Sequence, residues 1–174
     1  MSVSAEKMAR KLDRSIVAAA SAKETVEGSD FIQAATASWD AELDGHWVEK
    51  GMYVASIGGS DASNKRREID DETIRRADVY IVHSKEVARL DQSPDVWEVA
   101  QKGIKAWDSI YEIQDLLVGK APGRSSADQI TVFNNNTGAG TQFAAVGSAV
   151  VKRARELGLG RELPTEWFLE DVSP

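Results

Sequence analysis

Apolar runs of strand length recur along the first 140 residues, with helical or longer polar connections between them. The runs cover residues 16–20, 31–36, 52–57, 79–82 and 130–133. None of them alternates cleanly between apolar and polar positions, as a strand with one face in water would. The pattern therefore predicts an α/β fold with a mostly parallel sheet that is covered on both faces.

Helical spacing accompanies these runs in the first half of the chain. A loose stripe of Val3, Met8 and Leu12 predicts a first helix. A short helical turn over 23–28 ends at a glycine. Asp70 is placed to cap a further helix, because acidic residues follow it in the first turn and arginines occupy the last.

The second half of the chain is predicted to be more helical. A region over 95–118 places Ile110, Ile113 and Leu117 on one face. Gly119 is expected to stop this helix, and a loop follows.

The most regular pattern lies near the carboxyl end. Residues 142–157 predict a long helix with a buried stripe made of Phe143, Val146, Val150, Ala154 and Leu157. The tail over 161–174 carries three large apolar side chains at 167–169 beside acidic residues. A segment of this kind usually packs on its own domain or on a partner.

Composition narrows the range of functions. The chain has 21 basic and 28 acidic residues, a net charge of −7, and no evident basic patch, so we expect no nucleic-acid partner. The absence of cysteine excludes disulfides and thiolate metal sites and fits a reducing compartment. The apolar runs are far shorter than the ~20 residues that span a bilayer, and the charged amino end does not resemble a secretory signal. We therefore expect a cytoplasmic protein without a membrane partner.

The first candidate site follows the run at 52–57. Gly58, Gly59 and Ser60 lie where a parallel strand would end, and ligands of open α/β sheets bind beyond that edge. The glycines would let a ligand approach the backbone closely. Asp61 would relay a proton or anchor an amine if its carboxylate faced the cleft. The alternative is an ordinary exposed turn between strand and helix.

A second candidate follows the run at 130–133. Three asparagines at 134–136 and Thr137 precede the final helix, so they would meet a polar ligand near its amino end. A simple polar turn explains the segment equally well. The glycines around Lys120 and Arg124 lack the spacing of a phosphate loop, and we interpret that segment as a structural turn.

Other polar residues favour ordinary roles. His46 and His83 have no carboxylates clustered at metal-ligand spacing, so we predict no metal site. The basic run of Lys65, Arg66 and Arg67 is typical of a solvated face, with the alternative that Lys65 alone reaches a cofactor phosphate. No Gly-x-Gly-x-x-Gly string is present, so the residues by themselves do not indicate dinucleotide binding.

Several short strings occur in an order that covers almost the whole chain. They are Ala34-Ala35-Thr36-Ala37-Ser38, Gly58-Gly59-Ser60-Asp61 with Glu68-Ile69-Asp70, Gly119-Lys120-Ala121-Pro122-Gly123-Arg124, and Ile130-Thr131-Val132-Phe133. They continue into Gly-Ala-Gly-Thr-Gln-Phe-Ala-Ala and Arg-Glu-Leu-Gly-Leu-Gly. In this order they resemble the ornithine cyclodeaminase and mu-crystallin family.

The resemblance implies a partial Rossmann-like, doubly wound sheet over 1–140. A C-terminal helix and tail over 141–174 would pack on that domain or on a partner. The implied activity is that of an NAD- or NADP-dependent ornithine cyclodeaminase, cyclic imine reductase or amino-acid dehydrogenase, acting on a small amino acid or its imine. In the cyclodeaminase the cofactor takes a hydride from the α carbon and returns it after ammonia is lost.

The resemblance also implies roles for individual residues. Asp61 matches the catalytic aspartate of the family's Gly-x-Asp-x-Pro-Gly-Lys-x-Glu, although this chain has one extra residue and no Pro-Gly there. Thr137 would lie near the substrate. The residues implied to face the cofactor are Thr36, Ile57, Gly58, Gly59, Ser60, Lys65 and Asn136.

The family's glycine fingerprint, ribose-binding acidic residue and substrate-binding Arg and Lys would all precede Met1. We therefore expect a truncated chain or one part of a split enzyme, acting as a homodimer or with a chain that supplies the missing part. The alternative is an inactive paralogue that serves as a binding or accessory subunit, for example of an amine oxidase. The residues that select the substrate, and NAD over NADP, would lie in the same missing segment.

Overall fold

The computed structural model describes residues 3–58, 60, 63–136 and 140–169. The chain divides into two compact units, residues 1–137 and 138–174. The first unit contains the sheet, and every site residue expected from the sequence falls within its limits.

Five parallel strands form one sheet in the spatial order β1-β2-β5-β3-β4. Their bounds are β1 Phe31–Ala34, β2 Tyr53–Ser56, β3 Val79–Val82, β4 Ile110–Glu112 and β5 Thr131–Asn134. The last strand in sequence is thus the central strand in space. Because all strands run the same way, their carboxyl ends lie along one edge of the sheet, and the predicted parallel α/β fold is confirmed.

Short helices connect the strands, and one long helix forms most of the second unit. Their bounds are α1 Val3–Leu12, α2 Ala22–Val26, α3 Asp71–Arg76, α4 Lys85–Leu90, α5 Val99–Gln101, α6 Ile113–Leu117 and α7 Gly140–Glu156. Asp70 caps α3 as predicted, because its carboxylate accepts a hydrogen bond from the Thr73 amide at 2.7 Å. No helix among the described residues is long and apolar enough to cross a bilayer.

One face of the sheet carries the core. The strands are in register, so that one side chain from each forms a continuous buried row made of Ile32, Val54, Val132, Tyr80 and Ile110. Helices and loops cover this row with apolar side chains that include Val26, Leu43, Ile69, Ile74, Ala88, Val96 and Val99. This face therefore supplies most of the hydrophobic stabilisation of the unit.

The opposite face of the sheet is covered only in part. Helix α6 lies over its β3 side, and a cavity of about 260 Å³ remains between α6 and the sheet. On the β1 side, Phe31 stacks on Tyr53 with ring centroids 4.9 Å apart, yet 59% of Phe31 is exposed. On this face Val79 and Ile81 of β3 and Thr131 of β5 are buried, so the prediction that both faces are covered holds there, whereas the described residues leave Phe31 of β1 exposed.

The predicted strand at 16–20 is not formed. These residues are irregular and mostly exposed between α1 and α2. An apolar run becomes a strand only where a neighbouring strand satisfies its N–H and C=O groups. Among the described residues β1 has one neighbour, β2, and residues 16–20 do not pair with its free edge.

The predicted helix over 95–118 is divided into several shorter elements. They are a π-helical turn at Pro94–Glu98, then α5, a 3-10 turn at Trp107–Ser109, strand β4 and helix α6. Gly103, with φ of +69°, ends the helical part, because left-handed backbone does not continue a helix. Ile110 and Leu117 therefore do not share a helix face: Ile110 belongs to β4 and is 1% exposed, whereas Leu117 is 78% exposed.

Helix α7 agrees with the predicted final helix, but the second unit by itself does not bury its apolar stripe. Phe143 is 73% exposed, and Val146, Val150 and Leu157 are also exposed. The second unit contains this helix and a 3-10 turn at Thr165–Phe168, which is too little structure to bury a helix face. The large apolar side chains at 167–169 are exposed as well.

Strand β4 can be tested with a pair of alanine substitutions. We expect Ile110→Ala to lower the free energy of unfolding by about 2–5 kcal/mol, because it leaves a cavity in the core row. Leu117→Ala should change it by less than about 0.5 kcal/mol. Urea denaturation followed by circular dichroism measures both values. Equal losses would contradict the assignment of Ile110 to a buried strand.

Candidate functional site

The carboxyl ends of β1 and β2 form the candidate site. The segment after β1 contains Thr36 and Ala37, and the segment after β2 contains Ile57 and Gly58. Because β1 and β2 are paired, these two strand-end loops lie side by side. A cavity of about 200 Å³ lies between them, lined by Ala35, Ala37, Ile57, Gly58 and Glu68.

Glu68 lies beneath this cavity and is 1% exposed. Its carboxylate accepts hydrogen bonds from the first loop, from the Thr36 amide at 2.5 Å, the Thr36 hydroxyl at 3.1 Å and the Ala37 amide at 3.0 Å. It accepts three more from the second loop, from the Ser56 hydroxyl at 2.9 Å, the Ile57 amide at 3.0 Å and the Gly58 amide at 2.7 Å. One buried carboxylate thus joins the two strand ends.

The hydrogen bonds also decide the charge of Glu68. Burial alone would raise the pKa of this carboxyl, but the hydrogen bonds donated by Ala37, Gly58, Ser56 and Thr36 outweigh burial and lower the pKa. Glu68 is therefore an anion at neutral pH. A phosphate placed in the cavity would meet this negative charge, and the amides of both loops are already occupied, so the cavity favours a neutral ligand group.

A second buried carboxylate, Asp95, lies beneath the neighbouring strand end. Asp95 is 4% exposed, accepts a hydrogen bond from Arg67 Nε at 2.7 Å and contacts Asn134 Nδ2 of β5 at 3.4 Å. The other arm of Arg67 bonds Asp71 at 2.7 Å. Burial raises the pKa of Asp95 to about 6, although Arg67 and Asn134 oppose the rise. The interpretation of residues 65–67 as a solvated face is therefore wrong for Arg67, which joins a buried ion pair.

Asn136 has a role in the fold of the carboxyl edge. It is 5% exposed, and its side-chain oxygen accepts hydrogen bonds from the amides of His83 and Ser84 at 3.0 and 3.1 Å. Its amide nitrogen donates to the Ser84 carbonyl at 2.8 Å. The side chain thus fastens the end of β5 to the turn after β3. Contact with a cofactor stays a prediction for this residue.

The other expected cofactor-facing residues differ in their surroundings. Lys65 forms an ion pair with Glu98 of the π-helical turn. Ser60 Oγ is buried and has no hydrogen-bond partner among the described residues, and the same is true of Asn135 Oδ1 after β5. The side chain of Ile57 is 47% exposed at the rim of the cavity. Gly59, Asp61 and Thr137 lie outside the described residues.

The turn around Arg124 and the side chain of His46 are not part of the site. Arg124 bonds the carbonyl groups of Ser126 and Ala127, as expected of a structural turn. His46 is exposed and pairs with Asp44 at 2.8 Å. Within residues 3–58, 60, 63–136 and 140–169, no three acidic or histidine side chains are grouped to hold a metal ion.

Sequence reasoning missed the two buried carboxylates. The sequence places Glu68 only within a motif and predicts Asp95 at the start of a helix. Their partners lie up to 39 residues away along the chain, so local pattern does not reveal them. The one local signal is that Glu68 directly precedes Ile69 and the capping Asp70, at a point where the chain enters the core.

Residues 2–157 match the family model described as "Ornithine cyclodeaminase/mu-crystallin family". The chain belongs to this family. The family resemblance inferred from the order of the motifs is thereby confirmed.

Individual relatives of this cyclodeaminase-family chain are about twice as long. An uncharacterized cyclodeaminase of Sinorhizobium fredii is 30% identical over 86% of this chain and 45% of its own length. A Delta(1)-pyrroline-2-carboxylate reductase of Bacillus cereus is 28% identical over 82% of this chain and 43% of its own. The solved structure of Thermococcus litoralis Delta(1)-pyrroline-2-carboxylate reductase in complex with NADH and L-proline is 28% identical, with a TM-score of 0.81 over 91% of this chain and 48% of that chain. The chain thus spans about half the length of these relatives.

The raised pKa of Asp95 predicts a pH-dependent stability for this cyclodeaminase-family chain. An unfolded aspartate titrates near pH 3.9, so between about pH 4 and 6 the folded chain holds a proton that the unfolded chain has lost. The contribution of Asp95 to stability therefore falls as pH rises through this window and stays constant above it. Asp95→Asn removes this titration, so the wild type loses stability between pH 4 and 7 and the variant does not. The free energy of unfolding of the variant, relative to that of the wild type, should therefore rise by on the order of 2–3 kcal/mol over this range.

Thermal or urea denaturation at several pH values measures this difference. Asp108→Asn is the matched control, because Asp108 is exposed. Parallel pH profiles for wild type and Asp95→Asn would show that Asp95 keeps an ordinary pKa in the fold.

Gly58 gives a second test of the site. A Cβ atom there would lie 2.7 Å from Glu68 Cδ and 2.9 Å from Glu68 Cγ. The carboxylate cannot move away, because its hydrogen bonds hold it in place. We expect Gly58→Ala to lower the free energy of unfolding by about 1–3 kcal/mol. Gly147→Ala in α7 has open space around its Cβ and should be neutral or stabilise by up to about 1 kcal/mol. A Gly58→Ala variant as stable as wild type would contradict the close approach of Glu68.

Proposed function

We propose that this chain forms the carboxyl-terminal half of an NAD(P)-dependent enzyme that acts on a small amino acid or its cyclic imine. The observation that carries the proposal is the structural match to the Thermococcus reductase, whose structure holds NADH and L-proline. The pair of strand-end loops around Glu68 supports it, because open α/β sheets bind their ligands at that edge. Imine reduction, amino-acid oxidation and cyclodeamination are the reactions that fit the relatives.

The described residues fit a bound cofactor in one specific respect. Ser60 Oγ and Asn135 Oδ1 are buried at the carboxyl edge and find no partner in the part of the chain that the structure describes, although buried polar atoms are nearly always hydrogen-bonded. A ligand at this edge would satisfy both. Nicotinamide, when bound, supplies the hydride donor or acceptor, and the protein's share is binding and orientation.

We assign the remaining roles by the family match. Thr36, the loop from Ile57 to Ser60, Lys65 and Asn136 would hold the cofactor. Asp61 would carry the proton or anchor the amine, and Thr137 would lie beside the substrate. In sequence, all of these residues come after β1 or β5 or lie in the connection from β2 to α3.

The site needs a further segment of protein, on the same polypeptide or on another one. Strand β1 forms an edge of the described sheet, where β2 is its one neighbour, and its first residue, Phe31, is exposed. Exposed strand edges recruit another strand. The relatives are about twice as long, so a preceding half like theirs, or a second copy of the chain, would complete the site. We place the complete enzyme in the cytoplasm.

A role as a binding or accessory subunit is the second candidate function. The apolar stripe of α7, which the second unit leaves uncovered by itself, favours it, because such stripes mark interaction surfaces. This candidate predicts partner binding without dinucleotide binding.

Calorimetric titration with NADH and NADPH tests the first proposal, with two lysine variants. Lys65 and Lys102 both pair with Glu98, but only Lys65 is assigned to the cofactor. We expect Lys65→Ala to weaken dinucleotide binding about tenfold, because a charge-assisted hydrogen bond is lost, and Lys102→Ala to leave it unchanged. If neither dinucleotide binds the chain, alone or with a partner that supplies the other half, the proposed enzyme is wrong.

A further inference from the structure

The Glu68 carboxylate divides its two oxygens between the two loops. Oε1 accepts the hydrogen bonds of Thr36 and Ala37, which follow β1. Oε2 accepts those of Ser56, Ile57 and Gly58, at the end of β2. Each loop is thus held by one oxygen, and the rigid carboxylate plane sets the distance between them.

Both loops have shapes that depend on this carboxylate. Ala37 has a φ of +53°, a left-handed conformation that L residues other than Asn and Asp rarely adopt, and its amide is bonded to Oε1. Gly58 approaches Glu68 so closely that a Cβ atom would overlap the carboxylate carbon. Neither loop would keep its course if the acceptor were removed.

We propose that Glu68 is a positioning residue, which fixes the two strand-end loops relative to each other and so shapes the cavity that receives the ligand. It acts through the backbone of the loops, because the carboxylate is almost wholly buried and its lone pairs are used by six donors. Its effect on ligand binding rests on the proposed dinucleotide function, whereas its effect on the loops does not.

Glu68→Gln separates positioning from general stabilisation. Glutamine keeps the shape of glutamate but has a single acceptor oxygen, and its NH₂ group faces donors on the other side. It can therefore hold one loop and must release the other. We expect amide hydrogen exchange, read by NMR, to speed up at least about tenfold in one loop, at Thr36 and Ala37 or at Gly58, and to stay unchanged in the other loop and in β5. Ile57 is not a reporter, because its amide also donates to the Ala34 carbonyl.

Glu42→Gln is the matched control, because Glu42 lies near the same loop and bonds Ser38 at an exposed position. Its exchange should equal that of wild type. Glu68→Ala, with no acceptor, should release both loops together. If the alanine variant fails to fold, the glutamine variant still decides the question.

Three results would overturn the proposal. Exchange in both loops of Glu68→Gln could equal that of Glu42→Gln, or it could rise uniformly through the sheet, which would make Glu68 a general stabiliser. A Glu68→Gln variant that has a released loop but binds NADH as tightly as wild type would also exclude positioning for the ligand. If the wild type binds no NADH, the proposed function fails, while the exchange data still decide whether Glu68 fixes the loops.

Discussion

The hydrogen bonds to the buried Glu68 carboxylate are the interaction on which the carboxyl edge of this sheet depends. Removing an anion from water costs several kcal/mol unless its oxygens are satisfied. Here six donors from two loops satisfy them, and the lowered pKa of Glu68 shows that the donors outweigh the effect of burial. The same bonds supply partners to the amides of Thr36, Ala37 and Gly58, which lie beyond the sheet ladder. The buried carboxylate and the amides of the two loops therefore stabilise each other, because each would be buried without a hydrogen-bond partner if the other were absent.

Arg67, the residue before Glu68, extends this arrangement to the rest of the edge. Its guanidinium reaches Asp95, which in turn contacts Asn134 at the end of β5. Two adjacent residues of opposite charge thus reach three neighbouring strand ends. Asp95 lacks the donor set that Glu68 has, so burial prevails there and its pKa rises. The two carboxylates show how the number of donors decides the charge of a buried acid.

Much of the fold could be predicted from the sequence, because its strands are apolar runs bounded by polar turns. Strands β1, β2, β3 and β5 follow from such runs, and the Asp70 cap follows from local spacing. Strand β4 has only three residues and directly precedes α6, so helical periodicity concealed it. Residues 16–20 have strand composition but no paired neighbour, and pairing is a property of the fold.

The candidate site was predicted less completely than the fold. Its position at the ends of β1, β2 and β5 follows from the general rule for parallel sheets. The hydrogen bonds of the buried carboxylates Glu68 and Asp95 do not follow from this rule, because each set joins residues far apart in sequence. Asn136 illustrates the difference: its location beside the edge was expected, but its three hydrogen bonds to the turn after β3 were not.

The central position of β5 has a consequence for how the chain acquires its structure. During synthesis β2 and β3 emerge early, but the strand that lies between them is the last of the five to be made. Until residues 131–134 are available, the facing edges of β2 and β3 have no strand between them to pair with. Such edges are prone to mispairing, and long-range closure of this kind is slow. The five-stranded sheet is therefore complete only once β5 is available, whereas β1 and β2, whose loops Glu68 joins, pair without it.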